Sequence, residues 1–575
     1  MFRKNKRHLQ PALISNVNDM PEKLRKRLDA SWAGAFYRET FCRLDESAFA
    51  VLYADIPSRP NLPVNVLVAL ESLKAASGWS DEELYDRFSY DMQVRYALGY
   101  QQLGEGDFDL RSLYYFRGRV GRYMQETGVN LIEKAFEQVT DQQLQAYHLK
   151  TGQQRMDSTQ IASNIREMSR LQLLVEVVQR VQHMLSESDQ VRYAAELEPY
   201  LRGKSGHYIY HIKGQDISKH LQGIGELMQR LLLELEPGYA QEPVYQMMAR
   251  VFGEHFRVDE RELKIKTNKE LSASSMQSPD DLEATYRQKG RKTYKGYVAN
   301  LSETCDPENE IQLITKVQVA PNHAEDAALL VEALPNLKER TALERLYTDG
   351  GYGSEEADKI LQAHQVEQIQ TAIRGRTPSR EKLHLEDFEI EQDSSGTPTK
   401  ITCPQGQSVV LHLGSRKKGF VAHFETEICQ ACPFFQQDAC PARAGKQDTR
   451  FQLRFRQKQA TISQRRRRSL AHQKESHNLR ASIEATIRSV KHHFPASKLP
   501  VRGRFRVTSM VIGAALVCNA RRIQRYLEAK MKHEKAPDRP RSGIESLQRS
   551  LVGCLKAAFY AIKMLGWHRR LSFGC

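Results

Sequence analysis

Apolar residues recur along this chain with two periods, and the places where the period changes divide it. Val66, Leu67, Leu70 and Leu73 fall three or four apart, as one face of a helix does. Ser80-Asp-Glu-Glu83 is a capping sequence for the next helix, with three acids in its first turn. Residues 1–145 therefore read as a helical N-terminal domain. Near Gln153 the pattern shortens, and Met156, Thr159 and Ile161 stand in a strand-like segment that contains Asp157. Helical spacing returns at Leu171, Leu174, Val175, Val178, Val181 and Leu185, and again at Leu221, Ile224, Leu227, Met228, Leu231 and Leu235. With residues 243–256 these predict a helical insertion at about 165–285.

Strands resume over 292–302 and 311–319, followed by a helix through Ala328, Leu329, Val331 and Leu334. Leu346, Tyr347 and Thr348 form a short strand closed by Asp349, and Gly350, Gly351 and Gly353 let the backbone turn into a helix from Ser354. A further strand is expected over 366–372. The order strand, strand, strand, helix, strand, helix, strand predicts a mixed α/β sheet over 146–372. Its first and fourth strands carry Asp157 and Asp349, and neighbouring strands can bring two such acids within metal-bridging distance. An acid at the C-terminal edge of a strand also lies where α/β sheets place their chemistry.

Composition narrows the class. Across 575 residues there is no run of about 18 apolar positions, and the basic start Met1-Phe-Arg-Lys-Asn-Lys-Arg-His8 has no apolar run behind it. The expectation is a soluble, cytoplasmic protein without signal peptide or membrane span. Nine cysteines fit a reducing compartment better than a disulfide framework. Four of them, Cys403, Cys429, Cys432 and Cys440, lie in a second interruption at 373–460 that reads as a small cysteine-rich β insertion, and a CxxC with two further thiols suits a structural zinc site.

Charge changes the picture more than composition does. Residues 441–575 hold 31 Lys and Arg against 7 Asp and Glu, a net +24, and the rest of the chain is at −9. Such asymmetry marks a nucleic-acid face. Its candidates are the tetrad Arg465, Arg466, Arg467 and Arg468, then Arg480, Arg488 and Lys491, Arg502, Arg504 and Arg506, and Arg521 and Arg522. Arg117 and Arg119, beside three aromatics in the N-terminal domain, are further DNA candidates. Leu479, Ile483, Ile487 and Val490 give the segment 476–493 one apolar face, and Glu484 lies at its edge. Residues 461–530 thus read as this acidic-edged helix followed by basic helices, and 531–575 as a tail of unassigned role. Two or three carboxylates on a sheet and a facing helix can hold two Mg²⁺ ions about 4 Å apart for in-line attack on phosphorus.

The segments Met-Asp157-Ser-Thr-Gln-Ile, Thr-Asp349-Gly-Gly-Tyr-Gly-Ser and Ile-Glu484-Ala-Thr-Ile-Arg-Ser-Val-Lys resemble the three acid motifs of DDE transposases from bacterial insertion sequences. The resemblance extends over about residues 45–528. It implies an RNase H-like catalytic core with Asp157, Asp349 and Glu484 as catalytic metal ligands, and Mg²⁺ or Mn²⁺ as cofactor. It also implies a homo-oligomer acting on the terminal inverted repeats of its own element and on target DNA, by strand cleavage and strand transfer, in the bacterial nucleoid. The segment 109–117 departs from the Ser/Thr-rich form common there. Two other readings of the same residues are a non-catalytic DNA-binding or regulatory protein and a nuclease of the same fold.

Overall fold

The computed structural model describes residues 2–10, 14–54, 61–260, 262–371, 381–393, 396–414, 419–444, 450–475, 479–491, 494 and 498–535. Residues 1–523 form one compact unit and 524–575 a second, of which the described part, 524–535, is helical. The apolar stretch 551–565 and Trp567 lie outside the described residues. Among the described residues no helix is long and apolar enough to cross a membrane.

The N-terminal region is helical, as its spacing predicts. The helix Val64–Ser77 is buried on nearly every side and ends at Gly78, whose φ of 72° suits glycine. Ser80 and Glu83 form the expected reciprocal cap on the helix Asp81–Tyr90. One partner of these helices lies far along the chain. The helix Arg504–Lys535 contributes Val507, Met510, Val511, Ala514, Ala515 and Leu516 to the same apolar core. At Gly513 a Cβ would stand 2.9 Å from Ser72 Cα and 3.0 Å from Ala75 Cβ, so the two backbones meet where no side chain intervenes. A segment read from its charge as DNA surface is on one face a core helix.

Among the described residues fourteen strands follow in chain order. β1 (Gln153–Ile161) leads into the insertion, which ends in the hairpin β2 (Phe256–Asp259) and β3 (Glu262–Ile265). Then come β4 (Thr285–Lys289), β5 (Lys292–Thr304), β6 (Ile314–Pro321), β7 (Arg345–Thr348) and β8 (Glu367–Gln370). Across the central sheet the sequence is β6, β5, β1, β7, β8, with β4 on the remaining length of β5. β5 pairs antiparallel with both β6 and β1, whereas β1, β7 and β8 are parallel. The helix Asp326–Arg340 packs on one face through Leu330, Leu334 and Leu337 with Met156 of β1.

The helical insertion has its own core, built from the helices Arg170–Met184, Ile217–Tyr239 and Pro243–His255. The second insertion is a separate sheet of β9 (Glu389–Gln392), β10 (Pro398–Thr402), β11 (Ser408–Leu413), β12 (Phe420–Phe424), β13 (Arg443–Ala444) and β14 (Phe451–Phe455). Phe388, Phe424, Phe451 and Phe455 fill its core. The helix Gln457–Glu475 leads back and carries the arginine tetrad. The helix expected over 476–493 is observed only as Ile483–Lys491, preceded by a turn at 479–482, with 476–478 and 492–493 outside the described residues.

Candidate active site

Strand alternation sorts the residues of β1 to two faces. Met156 and Ser158 face the helix Asp326–Arg340, and the Ser158 hydroxyl donates to Asp326 Oδ1 at 2.8 Å. Arg155, Asp157 and Thr159 face the segment 479–491. Arg155 Nη1 donates to the Leu479 carbonyl at 2.6 Å, Arg480 Nη2 to Asp157 Oδ2 at 2.9 Å, and Lys491 Nζ to Thr159 Oγ1 at 3.0 Å. Three consecutive residues of one strand face thus hold the segment that carries Glu484.

The parallel register of β1 and β7 explains why the two aspartates meet. Gln153 pairs with Arg345 and Arg155 with Tyr347, so two residues further the same register sets Asp157 beside Asp349. Strands lie about 4.8 Å apart, and the two carboxylates sense each other. Asp157 is only 7% exposed, and its pKa is raised, first by burial. The Arg480 guanidinium and the Ser158 N–H oppose the rise, and the Asp349 charge adds to it. Asp349 is partly exposed and accepts the Gly351 N–H at 2.7 Å, which draws the glycine turn into a short 3₁₀ helix. Behind them Tyr352 is fully buried and donates to Asn300 Oδ1 at 2.7 Å. Burial and the charges of Asp326, Asp157 and Asp349 keep its hydroxyl protonated, well above the ordinary phenol range.

Glu484 stands in the first turn of the helix Ile483–Lys491 and is exposed. It lies two turns before Lys491 and therefore on the same helix face, above β1. Among the described residues no three His, Cys, Asp or Glu side chains stand close enough together to hold a metal ion. The structure brings Asp157 and Asp349 together and leaves Glu484 on the facing helix, outside their immediate group.

Many of the arginines expected at a DNA face are engaged within the protein. Arg117 is paired with Asp81 and Glu71, Arg465 with Asp358, Arg466 with Glu386 and Arg467 with Glu389. Arg502 reaches Asp280, Arg504 reaches Glu283, and Arg522 reaches Glu303. Arg521 is half-buried. Arg119, Arg468, Arg488 and Arg506 are exposed, Arg119 lying over the Tyr53 ring. The thiols of Cys403, Cys429, Cys432 and Cys440 line one small cavity walled by Phe388, Phe424, Phe435 and Phe451. Burial, with the other three thiols adding, pushes Cys429 up to about 11. Tyr352, Asn300, Asp326 and Glu303 were not singled out by the sequence. Of these only Tyr352 has a local mark, its place inside the glycine turn.

A mixed sheet with one carboxylate midway along β1 and another just past the end of the adjoining β7, and a cationic segment across them, is an arrangement suited to polyanion chemistry. Residues 402–524 match the family described as the transposase DDE domain, which supports a transposase-type, DNA-cleaving function. Transposases of this kind bind DNA and generally use divalent metal ions. The match runs from the end of β10 through the cysteines, the tetrad and Glu484 into the helix Arg504–Lys535, with Asp157 and Asp349 upstream of it. No curated protein and no solved structure matches the chain.

Proposed function

We propose that this chain is a DDE transposase of a bacterial insertion sequence, which binds the terminal inverted repeats of its element and cleaves and transfers DNA strands. The observation that carries this reading is the approach of Asp157 and Asp349, two residues past the last pair of the β1–β7 register, beside a helix inside the matched stretch. The strand order, with its second strand antiparallel and the last two parallel, supports an RNase H-like core.

The donor set fits Mg²⁺ or Mn²⁺, since both acids offer oxygen ligands and each keeps lone pairs beyond its hydrogen bonds. Asp157 and Asp349 would hold the metal, with Glu484 as a third ligand from the facing helix. A bound divalent ion there supplies charge for phosphate oxygens and acidifies a water or a 3′-hydroxyl. Arg480 orients Asp157, the Gly351 N–H orients Asp349, and the buried Tyr352 hydroxyl stays protonated behind the two acids. Exposed Arg488 and Arg506 would take DNA phosphates. The protein would act as a homo-oligomer on double-stranded DNA, and the four cysteines would close on a structural Zn²⁺.

The test is a strand-cleavage assay with Mg²⁺ on labelled DNA from either side of the gene, comparing wild type with Asp349→Ala. Cleavage at a mirrored repeat, reduced at least about 10²-fold in the variant while DNA binding persists, is the expected result. Cleavage retained by Asp349→Ala overturns the assignment of the site. Nicks without joined products would instead make it a nuclease, and specific binding without cutting by either protein a DNA-binding regulator.

A further inference from the structure

We propose that Glu303 is a positioning residue that locks the strand bearing Asp157 to the helix bearing Glu484, an inference that rests on the transposase reading. Glu303 is the penultimate residue of β5, with no exposed surface, directly across the antiparallel ladder from Arg155. Its Oε1 accepts Arg155 Nε at 2.6 Å. Its Oε2 accepts Thr486 Oγ1 and Arg522 Nη1, both at 2.7 Å. Each partner belongs to a different element. Arg155 precedes Asp157 by two positions on the same strand face, Thr486 follows Glu484 by two on the first turn of its helix, and Arg522 lies on the helix Arg504–Lys535.

The remaining donors of the network are also directed. Arg155 reaches the Leu479 carbonyl just before Arg480, and Arg522 reaches the Gln312 carbonyl at 2.9 Å and the Thr486 hydroxyl. Apolar side chains of similar volume would hold three elements together at least as strongly, but they would not set the angle of one against another. A buried carboxylate with three fixed donors does set it. Arg480–Asp157 and Lys491–Thr159 then hold the two ends of the same segment, and Thr486–Glu303 fixes its rotation between them.

The variant that isolates this role is Thr486→Val, which removes one hydroxyl, keeps the shape and leaves the Arg155–Glu303–Arg522 pairing in place. Thr486→Ser is its conservative counterpart. Two readouts are compared in the full-length protein: amide hydrogen exchange over residues 483–491, and the Mg²⁺ concentration for half-maximal cleavage. We expect Thr486→Val to exchange at least tenfold faster there and to need about tenfold more Mg²⁺, with DNA affinity within twofold of wild type and Thr486→Ser restoring both. Unchanged exchange in Thr486→Val, or equal effects of Val and Ser, overturns the clamp. Faster exchange with an unchanged Mg²⁺ requirement overturns its positioning role. Should the wild type cut no DNA, the transposase reading fails by itself and the exchange comparison still decides the clamp.

Discussion

The imidazole of His255 ends the helix Pro243–His255, buried, with neither ring nitrogen hydrogen-bonded among the described residues. Burial, together with the charges of Arg170 and Lys266, lowers its pKa from 6.5 to about 4. In that interval the unfolded chain binds a proton that the folded chain refuses. The stability contributed is therefore present above pH 6.5 and lost as pH falls toward 4, up to about 3 kcal/mol. Thermal unfolding followed from pH 7 to pH 4 should show this loss in the wild type and a flatter profile in His255→Phe. Equal profiles would mean that water reaches the ring. Asp157 has the opposite sense, since a raised carboxylate pKa favours the fold in acid and costs stability as pH rises through it. At this scale Asp157 and Asp349 were legible because local signs mark them, a strand pattern and a glycine turn. Glu303 was not, because its meaning comes from Arg155, Thr486 and Arg522, at sequence distances of 148, 183 and 219.

Elements announce themselves when their apolar stripe is long. The insertion helices were legible from 3.6-residue spacing, whereas the short helices Glu187–Arg192, Ala194–Leu201 and Ser205–Tyr210 lack enough buried positions to show a period. The strands β2, β3 and β4 escaped notice for the same reason, being four or five residues long with one buried position each. The cysteine-bearing sheet was legible by its thiols rather than by its strands. Its core of Phe388, Ile401, Phe420, Phe424 and Phe451 is separate from the central one, and a small core gains from a staple. Metal analysis of the purified protein should find one Zn²⁺ per chain, lost in Cys429→Ser with a fall in the unfolding temperature of this insert. A stable, metal-free wild type would refute the zinc assignment.

For the whole molecule, the charge gradient is real in sequence but much of it is consumed inside the fold. Arg465, Arg466 and Arg467 tie the helix Gln457–Glu475 to acids of the central unit and of the second insertion. Lys316 and Arg340 likewise join the central sheet to Glu133, Glu137 and Asp141 of the N-terminal helices. Net charge therefore overstates the number of free phosphate contacts. Substituting Arg488 and Arg506 together by Ala should reduce the slope of log K against log salt by about 2, whereas Arg465→Ala should leave it unchanged and lower stability. The opposite outcome would place the DNA on the tetrad. The shared core of the helices Val64–Ser77 and Arg504–Lys535 also bears on biosynthesis. Residue 146 leaves the ribosome 358 residues ahead of residue 504, a delay of roughly 20 to 70 s at ordinary elongation rates. Through that interval the groove around Ser72 and Ala75 waits for Gly513, so the nascent chain must be shielded until the helix Arg504–Lys535 arrives, and a message cut short upstream of it yields no folded N-terminal domain.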